Sequence, residues 1–265
     1  MYFSLLWNAF AALPEVEAIA LGGSRAGKNY DEKSDYDLYI YCAGIPEEGV
    51  RKQILEKCCE YMEIGNSFWE LEDDCTLKDG VDIDILYRNL EDFARTVRSV
   101  VEEHTAYNGY TTCMWHNLLN SRILYDKHGK LGSLQRRYRI PYPEELRDNI
   151  IRKNMRLLTG NLPSYDAQIK KAAARNDTVS VNHRTAAFPE SYFDILFALN
   201  RLTHPGEKRM VQYLTEKAEI LPADFEENLK KLFQNLFTDS DKALQTLGEM
   251  IAALKSAIKR GGLDA

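Results

Sequence analysis

Along the first half of the chain, apolar residues recur with two different periods. Residues 3–13 (FSLLWNAFAAL) carry a helical apolar face, and VEAIALGG (16–23) is a short apolar run ending in paired glycines. DYDLYIYC (35–42) is aromatic and β-branched and predicts a strand. After Pro46, EEGVRKQILEKCCEYM places Ile54, Leu55, Cys58 and Met62 at helical spacing, so one helix is expected as far as Met62. FWELEDDCTL and VDIDILY flank the turn Lys78-Asp79-Gly80 and read as a hairpin over 68–87. A helix over about 90–103, a further short helix, the strand RILYD and a glycine-containing turn at 127–130 complete this half.

Pro141 and Pro143 mark a change of character. Beyond them only helical periodicity remains, over 144–160, 164–176, 189–203, 206–218, 222–237 and 239–259. Pro189 and Pro222 stand where first helical turns accept proline, and Gly160 and Gly206 stand near helix ends. The pattern predicts an α+β protein, with a mixed-sheet domain over 1–140 and an all-helical domain over 141–265.

The two best strands share an unusual feature. Side chains at i and i+2 lie on one face of a strand, so Asp35 and Asp37 project together, and so do Asp82 and Asp84. Val81, Ile83 and Ile85 take the opposite face. Aspartate is depleted in strands, and paired carboxylates repel unless a cation lies between them. Three or four converging carboxylates would form an oxygen-rich site suited to magnesium. The other reading is a pair of solvated acidic strand faces.

Gly22 to Lys28 read GGSRAGK, which matches the spacing of a nucleotide-binding P-loop through Gly22, Gly27 and Lys28. Asn29 occupies the position where that loop needs a hydroxyl for magnesium, and the next element is a strand instead of a helix. The P-loop reading therefore fails on two counts.

Composition adds bounds. The 265 residues are 45% hydrophobic and 28% charged, as expected for a soluble globular protein, with length enough for two domains. A net charge of −6 argues against nucleic acid as a partner. The five cysteines show no C-x-x-C spacing, and the five histidines show no metal-ligand spacing. Reduced thiols in a cytoplasmic protein are the simplest account. The apolar start MYFSLLWNAFAAL has no basic lead and reads as an amphipathic helix, not a signal peptide. No run reaches the ~20 apolar residues of a membrane span.

Gly22-Gly23-Ser24, then Asp35-x-Asp37, then a later acid-bearing strand, resemble the nucleotidyltransferase superfamily that shares its fold with DNA polymerase beta. The motif covers residues 16–87, and 117–134 resemble the end of that catalytic domain. Within the superfamily the chain looks most similar to small bacterial enzymes that modify aminoglycosides or lincosamides. It also resembles an uncharacterised nucleotidyltransferase-like family with a helical C-terminal domain.

The resemblance implies that Gly22 and Gly23 let a triphosphate approach the backbone and that Ser24 and Arg25 contact it, with Lys28 a further candidate. Asp35 and Asp37 would hold two magnesium ions. Asp82 would be the third carboxylate of the catalytic and metal set, with Asp84 an auxiliary ligand or base. The stretch 192–210, with Asn200 and Pro205-Gly206-Glu207-Lys208, resembles the segment that reaches the nucleotide from the helical domain, and Lys208 would neutralise triphosphate charge. Tyr213 is expected in the core, and His183-Arg184 in a loop between helices.

The implied activity is Mg2+-dependent transfer of a nucleoside monophosphate, AMP from ATP, to a hydroxyl of a small acceptor with release of pyrophosphate. A protein acceptor, as for adenylylating antitoxins, and a nucleotide-binding module without turnover are the alternatives.

Overall fold

The computed structural model describes residues 1–27, 34–68 and 70–263. Lys28 and Asn29 of the glycine-rich loop and Trp69 at the start of the expected hairpin lie outside the described residues. The chain packs as two units. One comprises Met1–Arg98 with Met114–Ile140, the other Ser99–Cys113 with Pro141–Ala265.

The first unit is built on a six-stranded mixed sheet. Its strands are β1 (Val16–Leu21), β2 (Tyr36–Cys42), β3 (Cys59–Asn66), β4 (Glu72–Leu77), β5 (Asp82–Asn89) and β6 (Arg122–Asp126). They lie in the order β3-β4-β5-β2-β1-β6, and only the β2–β5 pair is parallel.

One face is buried against helices α1 (Tyr2–Ala11) and α3 (Glu48–Cys58), where Leu6, Phe10 and Leu55 meet Leu38, Ile40, Ile83 and Ile85. At roughly 1.5–3 kcal/mol per fully buried aliphatic side chain, this layer pins the facing of β2 and β5. On the other face Tyr41 packs on Phe93 of α4 (Leu90–Val101), with ring centroids 5.1 Å apart. A short helix α2 (Gly23–Ala26) follows β1. Helices α5 (Cys113–Asn120) and α6 (Lys130–Arg137) flank β6, where the sequence pattern predicts only a turn before residue 131.

The helix expected to reach Met62 ends at Cys58, and the chain turns directly into β3. From Cys59 the residues pair antiparallel with β4, Met62 opposite Cys75 and Ile64 opposite Asp73. Arg51 of α3 forms a buried ion pair with Asp73, at 2.5 Å, and Tyr87 donates to the same carboxylate at 2.8 Å. The sheet edge offers Cys59–Asn66 ladder bonds that a continued helix would forgo, so non-local pairing overrides the local period.

The second unit is helical, with α7 (Glu144–Leu158), α8 (Tyr165–Ala173), α9 (Thr178–Leu199), α10 (Met210–Lys217), α11 (Phe225–Asn235) and α12 (Ser240–Arg260). Helix α9 begins eleven residues before the expected start at Pro189. Asp177 caps it, accepting from the Ser180 amide at 3.0 Å. Pro189 stands inside the helix and lacks the N–H that would bond the preceding turn. Nine consecutive buried residues at 191–199 hold the helix together despite that cost. His183 and Arg184 are consequently helical, not in a loop.

Ser99–Cys113 joins this unit through Asp194. The buried Asp194 carboxylate accepts from the Thr111 amide (3.1 Å), the Thr111 hydroxyl (2.7 Å) and the Asn154 amide (3.1 Å). No helix among the described residues is long and apolar enough to cross a membrane.

Candidate active site

Strands β2 and β5 run parallel with Asp37 in register with Asp84, and Asp84 is in turn paired with Asp74 of β4. Asp74 stands opposite Glu63 of β3. Four carboxylates therefore form a row across four adjacent strands, on the face away from Leu38, Ile83 and Ile85. The hairpin sequence ELEDD already contains two of the acids involved, Glu72 and Asp74, at i and i+2. Asp74 enters the row only through strand pairing across the sheet, and Glu72, opposite Leu86, stands beside it.

The row is electrostatically unbalanced. Burial, then the charges of Asp37, Asp35, Asp74 and Glu72, push the Asp84 carboxyl up to about 6. Asp35 is half-buried one residue before β2 and acts on Asp84 from there. Asp82 is exposed and turned toward β4, where the Thr76 hydroxyl donates to its carboxylate at 2.8 Å. Of the two acids on β5, it is Asp84 that faces Asp37.

The glycine pair closes one end of the row. The Gly22 amide donates to the Asp37 carbonyl at 2.8 Å, so the turn after β1 is stitched to the start of β2. Gly23 has φ of +58°, and a β-carbon there would overlap the Asp37 carboxylate. A β-carbon on Gly22 would overlap the Tyr39 ring. Both positions thus need glycine for close approach, and the approach is to Asp37 and its neighbour on the same face. Ser24 is exposed in the first turn of α2.

Arg25 is engaged elsewhere. Its Nε donates to the Ser34 carbonyl at 2.5 Å, and its guanidinium lies 4.2 Å from the centroid of the Tyr36 ring. Tyr36 stacks in turn on Phe3, at 4.1 Å. Side chains of Tyr36 and Asp37 take opposite sheet faces, so a phosphate contact would require Arg25 to leave Tyr36.

Behind the row, Tyr39 is held by a buried cation. The Arg88 guanidinium lies 4.2 Å from the Tyr39 centroid and pairs with both oxygens of Glu70 at 2.6 and 2.7 Å. It also donates to Asn117 at 3.0 Å. Burial, partly offset by Arg88, raises the Tyr39 hydroxyl to about 12, which keeps it neutral. Neither Arg88 nor Glu70 stands out in the sequence, since a charged residue in an apolar strand reads as an edge.

Lys208 belongs to the second unit, exposed in the turn before α10. Asn200 is occupied within that unit. Its oxygen accepts from the Glu219 and Ile220 amides at 2.9 and 2.8 Å, and its nitrogen donates to the Leu196 and Ile220 carbonyls. Tyr213 packs edge-on to Phe197 at 5.8 Å.

Aspartate oxygens are the donors that hard divalent cations take, and a crowded row whose mutual repulsion raises one carboxyl is relieved by such a cation. Chemically the donor set fits Mg2+. Among the described residues, however, no group of three or more His, Cys, Asp or Glu side chains is placed to hold a metal ion.

A family model described as a domain of unknown function (DUF4037) matches residues 111–210. No curated protein matches the chain. Solved structures that resemble it include a nucleotidyltransferase-like protein from Exiguobacterium sibiricum, at 10% identity and TM-score 0.44, covering 96% of this chain and 72% of that one. An aminoglycoside 6-adenyltransferase from Bacillus subtilis is similar at 12% identity and TM-score 0.34, covering 97% and 89%. The Thermotoga maritima CCA-adding enzyme, solved with tRNA, is similar at 12% identity and TM-score 0.25, covering 99% and 86%.

Proposed function

We propose that the protein is a Mg2+-dependent nucleotidyltransferase that moves AMP from ATP onto a hydroxyl of a small-molecule acceptor and releases pyrophosphate. One observation carries the reading. Asp37 and Asp84 stand in register across parallel strands, directly beside a glycine pair that only glycine can form. Carboxylates for a cation and bare backbone for a phosphate thus occupy one place, which is the combination metal-assisted phosphoryl chemistry requires.

In this reading Asp35, Asp37 and Asp84 hold Mg2+, with Asp82 at the margin of the set. Mg2+ bound there supplies charge neutralisation for the triphosphate and acidifies the attacking hydroxyl. Gly22 and Gly23 give the phosphates access to backbone N–H groups, and the exposed Ser24 hydroxyl donates to a phosphate oxygen. Asp84 takes the role of third carboxylate because its register with Asp37 supports it better than the outward turn of Asp82 does.

The test is pyrophosphate release from ATP with Mg2+ and a cell extract as acceptor source, using ATP labelled in the adenosine moiety. Label recovered in small molecules, and lost in Asp37→Ala, supports the proposal. Label on protein would move the acceptor to a polypeptide. Binding of ATP without any pyrophosphate release would reduce the site to a nucleotide-binding module.

A further inference from the structure

The helical unit contains a concavity of about 530 Å³ whose chemistry is opposite to that of the acidic row. His104 and Asn108 line it from the segment before α5, and Asn149, Arg152, Lys153 and Arg156 line it from α7. Among the described residues no carboxylate lines it, and the nearest one paired with the lining is Glu145, 3.1 Å from His104. On α7 these residues occupy the side away from the buried Ile150, Ile151, Met155 and Leu158. Their spacing of three, one and three makes a single stripe, and Arg152 and Arg156 are separated by roughly 6 Å of helix rise.

These cations differ from Arg147 and Arg201 of the same unit. Arg147 is neutralised by Glu144 at 3.1 Å and Asp148 at 2.8 Å, and Arg201 by Glu144 at 2.5 Å. Arg152 touches only the Asn149 amide oxygen, at 3.4 Å, among the described residues. The Lys153 and Arg156 side chains have no hydrogen-bond or ion-pair partner among the described residues. Three uncompensated positive charges on two helical turns repel one another, in a protein whose net charge is −6. Asn149 is occupied, donating to the His104 carbonyl at 3.0 Å, so the Lys153 and Arg156 cations beside the exposed Asn108 are the groups left for a phosphate-bearing anion.

We propose that this concavity binds a small phosphorylated molecule, of the mono- or diphosphate class, using no residue of the acidic row. Its volume lies within the range of small-ligand sites. Three cations on one short stripe offer few phosphate contacts for an extended nucleic-acid backbone, and the chain is acidic overall.

The experiment is calorimetric titration of the full chain with inorganic pyrophosphate at low ionic strength, in buffer containing EDTA so that divalent metal is absent. Arg156→Ala and, separately, Lys153→Gln should each weaken binding on the order of tenfold, with circular dichroism unchanged. Asp37→Asn should bind as the wild type does, which separates this site from the proposed transferase site. Unchanged affinity in both basic variants overturns the proposal, as does a loss confined to Asp37→Asn. A short single-stranded oligonucleotide that binds more tightly than pyrophosphate, with the same dependence on Arg156, also overturns it and assigns the groove to nucleic acid.

Discussion

The Asp37 carboxylate lies against Gly23, so closely that a β-carbon on Gly23 would occupy its place. The backbone there is left-handed, at φ +58°, which costs any L-side chain roughly 1–2 kcal/mol. Gly23→Ala should therefore displace Asp37 more than it unfolds the protein. Turnover is expected to fall on the order of 10² for a displacement of about 1 Å at a reacting group. Pyrophosphate release and a thermal melt on the same preparation check this. Wild-type turnover in Gly23→Ala would show that Asp37 is not needed where the structure holds it.

The two acids of β5 should differ in importance. Asp84 stands between Asp37 and Asp74, whereas Asp82 is exposed and bonded to Thr76. Asp84→Asn is expected to lower kcat by a factor on the order of 10² or more, and Asp82→Asn by much less. The opposite order of damage would return the third carboxylate to Asp82.

Mg2+ should stabilise the protein through the same acids. Repulsion from Asp37, Asp35, Asp74 and Glu72 acts on Asp84 in the metal-free chain. Asp84→Asn removes the charge on which these four act and should raise the metal-free melting temperature. Added Mg2+ should raise the wild-type value by about 2–4 °C for each kcal/mol of binding energy, and that of Asp84→Asn by less. Differential scanning fluorimetry with and without EDTA measures both. Identical Mg2+ shifts in the two proteins would place the cation elsewhere.

Asp194 should set a pH dependence in the helical unit. Burial pushes its carboxyl up to about 7, against the Thr111 and Asn154 hydrogen bonds that favour the ionised form. An unfolded-chain aspartate titrates near 3.9. Between about pH 4 and about pH 7 the folded state keeps a proton that the unfolded state releases, so stability falls as pH rises through that window and is flat above it. Urea melts of wild type and Asp194→Asn isolate the contribution, because the asparagine variant should lack this part of the slope. Asp194→Ala leaves the Thr111 and Asn154 donors unsatisfied and should cost about 2–4 kcal/mol. A slope unchanged in Asp194→Asn would mean that the carboxylate is already ionised when folded.

Much of this arrangement is written in local patterns. Alternation in DYDLYIYC and VDIDILY assigns Asp37 and Asp84 to one face and Leu38, Ile83 and Ile85 to the other, because side chains alternate along any strand. The apolar runs and their turns likewise indicate an α+β chain whose later part is helical. The D-x-D spacing singles out the acids, and the preceding glycine pair is visible as a tight turn.

Other features depend on residues far apart in the chain. Asp84 rather than Asp82 faces Asp37 because register between two strands is set by packing of Ile83 and Ile85 with Leu38 and Ile40 under α1 and α3, and Asp74 joins the row through the same sheet. The turn from α3 into β3 at Cys58 reflects a free sheet edge, and the passage of α9 through Pro189 reflects burial on neighbouring helices. Ser99–Cys113 joins the helical unit because Asp194, 83 residues from Thr111, needs its donors once buried. Periodicity is a property of neighbours along the chain, whereas register, burial and the satisfaction of a buried charge are energies between distant segments, settled when those segments pack.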